Sequence, residues 1–374
     1  MAAKSYIKVK PVDTAGDPRN LSIILHLKDS LGADVQSDST MEVVAMVTAP
    51  GGKQGQLCDM PKMPGGNHVA RFAPRNAGKY IIDVKVDGDS VKNCSYKHFV
   101  PPQNNWLGNR QTTPSKLYEP HDIKVMNGDF VIAEKSHHRV IITDSGYHIK
   151  TTLSNPANGQ FNPYGIAVYE NDIFVTDNTG RVVVYRDGAV HLEFGQEELQ
   201  RPTGIAVYNR KVHVTDWQTH CIQVYSTDGI HIKTISQLGS GANDLKHPWF
   251  AVFNSKGQLL VADSHNKRIQ IFQPEASNEA VGMIPVKLVD EKHLFPRGIA
   301  VDANDTIFVT AMERVGWFSG WQCVVAFTPD GECLGKFGEN TGFRYPRGIA
   351  VFNNANNVPT ALVVDNHHVK EFEL

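Results

Sequence analysis

The sequence lacks the features of a membrane protein and of a secreted, disulfide-linked protein. No apolar run among its 374 residues reaches the roughly 18 residues that a membrane-spanning helix needs. Residues 1–6 contain no apolar signal segment. The five cysteines are an odd set without a C-x-x-C pair, which favours reduced thiols over a disulfide framework or a zinc site. We therefore expect a cytoplasmic protein that does not engage a membrane.

A strong charge of one sign is also missing. The formal net charge is -2 at pH 7, and residues 115–374 carry 23 Lys and Arg against 29 Asp and Glu. Such a balance argues against strong nonspecific binding to nucleic acid, and we expect no DNA partner. A nucleic-acid site on this part of the chain would have to be one polarised face, since the local field matters more than the sum of charges.

One short pattern recurs through the last two-thirds of the chain. It reads Pro-x-Gly-Ile-Ala-Val in four full copies and is degenerate in two more, which start at Pro163, Pro202, Pro296, Pro346, Pro120 and Pro248. Successive prolines are 39 to 50 residues apart. Repeats of this length that consist of short apolar strands and turns are typical of β-propeller blades. The sequence therefore predicts a six-bladed β-propeller, with two broad faces and a central channel.

The third copy shows the expected four strands of one blade, at residues 204–207, 212–216, 221–225 and 230–235. The last copy ends after its third strand, and a blade one strand short would expose an edge. We expect residues 105–110 to supply the missing outer strand. Residues 102–114 are thus predicted to be a linker with a closing strand, and residues 115–374 the propeller.

The first hundred residues have a different pattern. Strand-like alternation at residues 21–27, 42–47 and 80–86 is separated by Gly-, Pro- and Asp-rich turns. About seven short strands in roughly 100 residues predict an immunoglobulin-like sandwich over residues 1–101. Residues 77–88, which read AGKYIIDVKVDG, resemble the filamin-type immunoglobulin repeat. The whole chain is therefore predicted to be all-β.

The propeller repeats resemble the NHL repeat, most clearly at residues 248–272. A filamin-like domain directly before such a propeller is similar to the C-terminal half of TRIM-NHL proteins. The resemblance implies ubiquitin ligation through an upstream RING, mRNA binding with translational repression, or both. Because this chain contains no Cys/His zinc module, we expect no enzymatic activity from it.

Carboxylates and imidazoles recur after the second strands. Asp144, Asp177, Asp216, Asp263 and Asp365 are expected to accept hydrogen bonds from turn N–H groups, with Ala311 at the position in the fifth copy. His137, His220, His265 and His367 should share one face. A zinc site of the kind some NHL propeller lyases use would need three of them to converge on one ion. We expect no metal and no cofactor, and keep a metal-dependent lyase as a third hypothesis.

The strongest candidate site lies at the mouth of the channel. There the residue x of each Pro-x-Gly and the loop after each second strand would gather cations and aromatic rings, which suit phosphates and stacked bases. The predicted RNA-binding residues are His121, Arg139, Tyr164, Arg181, Thr203, Trp217, His220, Trp249, Lys267, Arg268, Arg297, Arg314, Trp317, Arg347 and His367.

Two functions follow as hypotheses. The first is an RNA-binding post-transcriptional regulator that recognises short single-stranded elements or hairpin loops in mRNA untranslated regions, leading to translational repression or mRNA decay. Its filamin-like domain would contact protein partners. The alternative is a scaffold that selects protein substrates for a RING-type ubiquitin ligase, because Trp, Tyr and Arg are also enriched at protein-binding hot spots.

Overall fold

A computed structural model describes residues 6–11, 21–26, 42–48, 56–60, 62, 68–72, 78–87, 89–100, 117–154, 161–286, 293–315, 318–338 and 342–374. The chain forms two compact units, Met1–Gln103 with Leu374, and Asn104–Glu373. In the described residues both units are built from β-strands, and no helix there is long and apolar enough to cross a bilayer.

Within its described residues, the first unit contains seven strands in two antiparallel sheets. One sheet has the order β1-β2-β5 and the other the order β4-β3-β6-β7. The strands are β1 (Tyr6–Pro11), β2 (Leu21–His26), β3 (Val43–Thr48), β4 (Gln56–Asp59), β5 (His68–Phe72), β6 (Gly78–Val86) and β7 (Asp89–Val100). Buried and half-buried residues alternate along β3, and Ile23 and Leu25 of the first sheet share one core with Ala45 and Ile82 of the second. The sheets therefore enclose a common apolar layer, as alternation with period two dictates.

The second unit contains six successive antiparallel sheets, five with four strands and the last with three among the described residues. The strands of the first three sheets are β8 (Pro120–Met126), β9 (Asp129–Glu134), β10 (Arg139–Thr143), β11 (Ile149–Ser154), β12 (Pro163–Tyr169), β13 (Asp172–Asp177), β14 (Arg181–Arg186), β15 (Ala189–Phe194), β16 (Pro202–Tyr208), β17 (Lys211–Asp216), β18 (Cys221–Ser226) and β19 (His231–Ile235).

The strands of the last three sheets are β20 (Pro248–Phe253), β21 (Leu259–Asp263), β22 (Arg268–Phe272), β23 (Ala280–Pro285), β24 (Phe295–Val301), β25 (Ile307–Val315), β26 (Phe318–Phe327), β27 (Cys333–Phe337), β28 (Pro346–Asn353), β29 (Pro359–Asp365) and β30 (His368–Glu373). Two single-turn 3₁₀ helices, Lys135–His137 and Ser264–Asn266, follow β9 and β21.

The six sheets form a ring through their first strands. β8 contacts β12, and contacts continue through β16, β20, β24 and β28, which in turn contacts β8. Strand pairing stays within each sheet, so the ring is held by packing and not as one hydrogen-bonded barrel. This arrangement is that of a β-propeller. The predicted closing strand at residues 105–110, with the rest of the 102–114 linker, lies outside the described residues.

The strand register fixes which loops share a face. In each of these six sheets the first-strand proline of the motif pairs with a second-strand residue, as Pro202 does with Asp216 at the end of β17; only in the fifth sheet does the second strand continue past this pair, to Val315. The same register joins Pro163 to Asp177, Pro248 to Asp263, Pro346 to Asp365, Pro296 to Ala311 and Pro120 to Glu134. We call this end of the ring the Pro-x-Gly face, and the end with the turns between first and second strands the opposite face.

The register corrects one assignment in the first sheet. Asp144 was expected at the end of a second strand, but it follows the third strand β10 and lies on the opposite face. Glu134 takes the position of the second-strand acid instead. The sequence was misleading here because Ile142-Thr143-Asp144 is similar to Val175-Thr176-Asp177, which ends β13.

Close approach of neighbouring sheets explains the glycine of the motif. A Cβ on Gly204 would lie 2.5 Å from the Trp249 carbonyl oxygen of the next sheet. In three sheets a second-strand threonine links the same two strands, since Thr176, Thr215 and Thr310 donate to the carbonyls of Thr203, Trp249 and Arg347. The Thr310 hydroxyl also accepts from Gly298 N–H (2.8 Å), and its bond to the Arg347 carbonyl is 2.6 Å long. The backbone at these three x residues is therefore held by the neighbouring sheet.

Candidate nucleic-acid interface

The six residues at position x of the motif surround the channel at the Pro-x-Gly face, but they are buried to different extents. His121, Thr203 and Tyr164 are buried, whereas Trp249, Arg297 and Arg347 are half-buried. Tyr164 covers His121, with ring centroids 3.8 Å apart. Burial, followed by the charges of Arg347 and Lys135, lowers the pKa of His121 well below its usual value, so this imidazole is neutral.

The second-strand acids hold the loops that carry this face. Asp216 accepts hydrogen bonds from the N–H groups of Gln200 (2.7 Å) and Arg201 (3.0 Å), before the motif. It also accepts from Gln218 and Thr219, in the loop after the second strand. Because one carboxylate ties both loops together, these acids position the face, as expected for Asp at a strand end.

Three of the predicted RNA contacts are engaged in ion pairs with those acids. Arg139 pairs with Glu134 (2.6 Å), Arg181 with Asp177 (2.9 Å) and Arg268 with Asp263 (2.7 Å). The Arg268 side chain is only 9% exposed. The structure thus places these cations beneath the face, where their charge is neutralised within the protein.

Other cations of the face lie over aromatic rings. A pocket of about 90 Å³ is lined by Tyr164, Arg201, Thr203, Trp217, Trp249, Ser264, His265, Phe295, Arg297 and Met312. The guanidinium of Arg201 lies 4.6 Å from the Trp217 ring centroid, and that of Arg297 lies 4.9 Å from the Trp249 ring. A cation over a neutral ring keeps its charge, so this pocket combines positive charge with flat apolar surfaces.

A chain of rings continues from the pocket across two sheets. Trp217 lies against His247 (4.0 Å between centroids), and His247 touches both His220 and His265 at 4.3 Å. His265 then contacts Phe295 (5.8 Å), over which Lys267 lies. Stacked or edge-on rings flanked by ammonium groups are the surface that single-stranded bases and phosphates use.

A second aromatic group lies where the last sheet meets the first. The exposed Tyr118 contacts His137 (4.8 Å) and His367 (5.4 Å). Arg347 donates to the Pro120 carbonyl (3.3 Å) and lies 4.0 Å from Glu119, so it joins these two sheets. A hydrogen bond from Ser136, with the charges of Lys135 and Arg347, lowers the pKa of Glu119, which therefore carries a negative charge here.

The structure thus divides the predicted residues. Tyr164, Thr203, Trp217, Trp249 and Arg297 line one pocket, with His220 and Lys267 beside it. His121, Arg347 and His367 lie towards the junction of the first and last sheets. Of Arg314 only the backbone is described, and Trp317 is outside the described residues.

Sequence reasoning missed several residues of this surface, namely Arg201, Lys246, His247 and Phe295, and it placed His265 on this face without counting it among the RNA contacts. Arg201, His247 and Phe295 directly precede the proline of their motif copies. The position before the proline was therefore a usable signal, since each copy begins on the Pro-x-Gly face.

The recurring histidines do not form a metal centre in the described part of the chain. There, no group of three or more His, Cys, Asp or Glu side chains could hold a metal ion. His137 is hydrogen-bonded to Glu134 (2.8 Å), and His367 to the Leu117 carbonyl (3.1 Å).

Comparison with known families gives a match to the NHL repeat at residues 245–272. The chain contains an NHL repeat. Among curated proteins it is 31% identical over 138 residues to the protein brain tumor of Drosophila melanogaster, covering 34% of this chain and 13% of that protein. It is 23% identical over 164 residues to the NHL repeat-containing protein 2 of Bos taurus, covering 40% of this chain and 19% of that protein. The matched segments span less than a fifth of either relative.

Similar folds occur in two lyases and in a nidogen–laminin complex. A streptogramin B lyase superposes with a TM-score of 0.50 at 14% identity, covering 70% of this chain and 97% of that one. A virginiamycin B lyase of Staphylococcus aureus gives 0.52 at 12%, covering 91% and 98%. A chain of a nidogen–laminin complex gives 0.51 at 16%, covering 83% and 97%. At such low sequence identities, structural similarity is evidence about the fold alone.

Proposed function

We propose that this protein binds single-stranded RNA, as a short element or a hairpin loop, through the Pro-x-Gly face and thereby represses or destabilises mRNA. The observation that carries the proposal is the pocket in which Arg201 and Arg297 lie over Trp217 and Trp249. A base stacked on an indole gains about 1–3 kcal/mol, and a neighbouring cation binds its phosphate.

Burial and charge support this use of the face. Arg201 and Lys246 are exposed, and Trp217 and Trp249 are half-buried, so rings and cations are open to a ligand from outside. The similarity to the protein brain tumor adds support for NHL-type post-transcriptional regulation. The filamin-like fold that we assign to the first unit would serve as a contact site for protein partners. We propose no catalytic role for the chain, and a cytoplasmic location.

The decisive experiment measures RNA affinity after two cations are removed. An RNA from a random-pool selection is titrated against the wild type and the variant Arg201→Ala/Lys246→Ala by fluorescence anisotropy. Each lost phosphate contact lowers the slope of log K against log salt by about 0.7 for a single strand. We expect roughly tenfold weaker binding and a slope reduced by about 1 to 1.5 in the variant, as this principle implies for two contacts.

A matched control removes two cations from the opposite face. Arg210 and Lys256 are exposed in turns after the first strands. Arg210 has φ +59°, which Asn tolerates, so the control variant is Arg210→Asn/Lys256→Ala. This variant should bind RNA as the wild type does. Equal losses in both variants would mean that the attraction is diffuse, and the assignment of the face would be wrong.

A second variant separates RNA from protein as the ligand. Trp217→Leu removes the indole under Arg201 while keeping an apolar side chain. RNA binding by stacking should fall about tenfold or more. If no selected RNA binds the wild type tighter than about 10 μM, whereas a nuclease-insensitive protein ligand is lost in Trp217→Leu, the face is a protein-binding scaffold instead.

A further inference from the structure

His247 occupies the centre of the ring chain on the Pro-x-Gly face. It stacks on Trp217 and meets the edges of His220 and His265 from two neighbouring sheets. Arg201 lies over the other partner of the stack, Trp217, and Lys246 is the preceding residue. The imidazole is half-buried, so the cluster is shielded from bulk water without being closed off.

Hydrogen bonds to the backbone fix the proton positions of two of these imidazoles. His247 Nδ1 lies 3.1 Å from the Trp217 carbonyl oxygen, which can only accept, so Nδ1 carries a proton. His220 Nδ1 accepts from the N–H of His247 (3.0 Å), so that nitrogen carries none. Protonating His220 Nδ1 would break this bond, whereas Nε2 of His247 has a lone pair and no hydrogen-bond partner among the described residues. His247 is therefore the imidazole that can gain a proton without losing a contact.

The backbone at His247 is held in an unfavourable conformation. Its φ is +49°, and the next residue is Pro248, which disfavours the helical regions in the residue before it. Two hydrogen bonds hold the segment, from Lys246 N–H to the Asp263 carboxylate (2.7 Å) and from His247 N–H to His220. A non-Gly residue in this region costs roughly 1–3 kcal/mol and is found where the surroundings over-determine it, often at functional sites.

In the free protein, both His247 and His220 are shifted towards their neutral forms. Burial is the first cause that lowers the pKa of His247, and the charges of Lys246 and Arg201 lower it further, against the raising effect of the Trp217 carbonyl. Burial and His247 lower the pKa of His220 in the same way, against Asp216. His265 and Asp263, which follow and end the second strand of the sheet that His247 precedes, also face this region. The nearest carboxylates, Asp216 and Asp263, are already occupied by backbone N–H groups.

We propose that a phosphodiester bound beside Arg201 and Lys246 drives the uptake of one proton by Nε2 of His247, so that this residue becomes a third cationic contact of the ligand. The proposal rests on the proposed function and adds a proton linkage to the same face. The proton comes from solvent, forms an N–H bond at Nε2, and is donated as a hydrogen bond to a phosphate oxygen. The bound anion supplies the negative charge that the free cluster lacks. Nε2, which has no hydrogen-bond partner in the free protein among the described residues, then makes a charge-assisted hydrogen bond to the phosphate.

The experiment compares RNA affinity at pH 7.5 and pH 5.5 for three proteins at constant salt. They are the wild type, His247→Asn, which cannot titrate but tolerates positive φ, and His148→Asn, which removes an imidazole from the opposite face with 72% of its side chain exposed. We expect wild-type affinity to rise by roughly three- to tenfold on acidification, since one unit of pKa shift is worth at most a factor of ten. His148→Asn should behave like the wild type, and His247→Asn should show no rise.

Calorimetry in two buffers of different ionisation enthalpy then counts the protons. The wild type should take up between about 0.5 and 1 proton per RNA at pH 6.5, and His247→Asn close to none, as linkage requires. A wild type that binds RNA with the same affinity at both pH values overturns this inference and leaves the proposed function standing. A pH effect that persists in His247→Asn also overturns it, because the protonated group is then elsewhere. A wild type that binds no RNA at either pH overturns both proposals.

Discussion

The two faces of the ring use their cations in different ways. On the opposite face, Lys150 pairs with Asp129 (2.5 Å), Arg186 with Asp172 (2.6 Å) and Lys211 with Glu275 (2.8 Å). On the Pro-x-Gly face, Arg201, Lys267 and Arg297 lie over aromatic rings, and so does Lys135, which also pairs with Glu119 (3.6 Å). An ion pair cancels charge at the surface, whereas a cation over an aromatic ring keeps its positive charge while the ring limits its hydration.

The difference between the faces shows why the net charge of the chain is a poor guide to the charge of either face. The acidic balance of residues 115–374 includes carboxylates that are used up in turns and ion pairs. The field above each face depends on which cations remain without a carboxylate neighbour. By this criterion Arg201, which lies over Trp217, makes the Pro-x-Gly face positive at its pocket, although Glu119 carries a negative charge near Tyr118.

The largest expected effect is on stability. It tests whether the buried ion pairs stabilise the fold and take no part in ligand binding. Asp263→Ala would leave the Arg268 guanidinium buried without its carboxylate and would free Lys246 N–H. Burial raises the pKa of Asp263 although Arg268 and the hydrogen bonds lower it, so the pair itself adds little net stability. Removing one partner should nonetheless cost about 3–5 kcal/mol in urea unfolding.

A double variant provides the control for this measurement. Asp263→Ala/Arg268→Met removes both charges at once, and it should recover a substantial part of the lost stability because no buried charge remains. If Asp263→Ala cost less than about 1 kcal/mol, the cost of an exposed pair, Arg268 would be free to reach solvent. It would then count again among the candidate RNA contacts.

The ion pairs also show which features could be predicted from the sequence and which could not. The recurrence of Pro-x-Gly-Ile-Ala-Val was enough to predict the sheets and the face on which their loops meet, because the glycine of each of the four full copies lies against the backbone of the next sheet. Whether an arginine pairs with a carboxylate or lies over an aromatic ring depends on the strand register. Arg181 starts a strand directly opposite Asp177, which binds it, whereas Arg201 precedes the motif and meets Trp217. Such side-chain partners come from different loops of variable length, and the repeat does not encode them.

A smaller effect is expected on the pH dependence of stability, which can be distinguished from the pH dependence of RNA binding. His213 lies between the third and fourth sheets, beside Phe253, and burial lowers its pKa to about 4. In the part of the chain that the structure describes, neither of its ring nitrogens has a hydrogen-bond partner. Since the unfolded chain binds a proton near pH 6.5 and the folded one only near 4, stability is full above pH 6.5 and falls between those values. The loss should approach about 3 kcal/mol.

His213→Leu checks this assignment by urea unfolding at pH 7.5, 6.0 and 5.0. The variant should be as stable as the wild type at pH 7.5, or more stable by about 1 kcal/mol, because no unpartnered imidazole remains. It should lose less stability on acidification, while its RNA affinity should follow the wild-type pH profile. A parallel decline in both proteins would place the titrating group elsewhere, with the neutral His121 as the next group to replace.

The smallest expected effect concerns the opposite face. The Lys211–Glu275 pair joins two sheets, with side chains 34% and 31% exposed, so solvent screens it. Lys211→Ala should therefore cost at most about 1 kcal/mol of unfolding free energy, and less at high salt. It should leave RNA affinity unchanged, although it removes a positive charge, because that charge was already neutralised by Glu275. Weaker RNA binding by Lys211→Ala would show that pairing with a carboxylate does not decide which cations attract the ligand, and the contrast between the two faces would lose its physical basis.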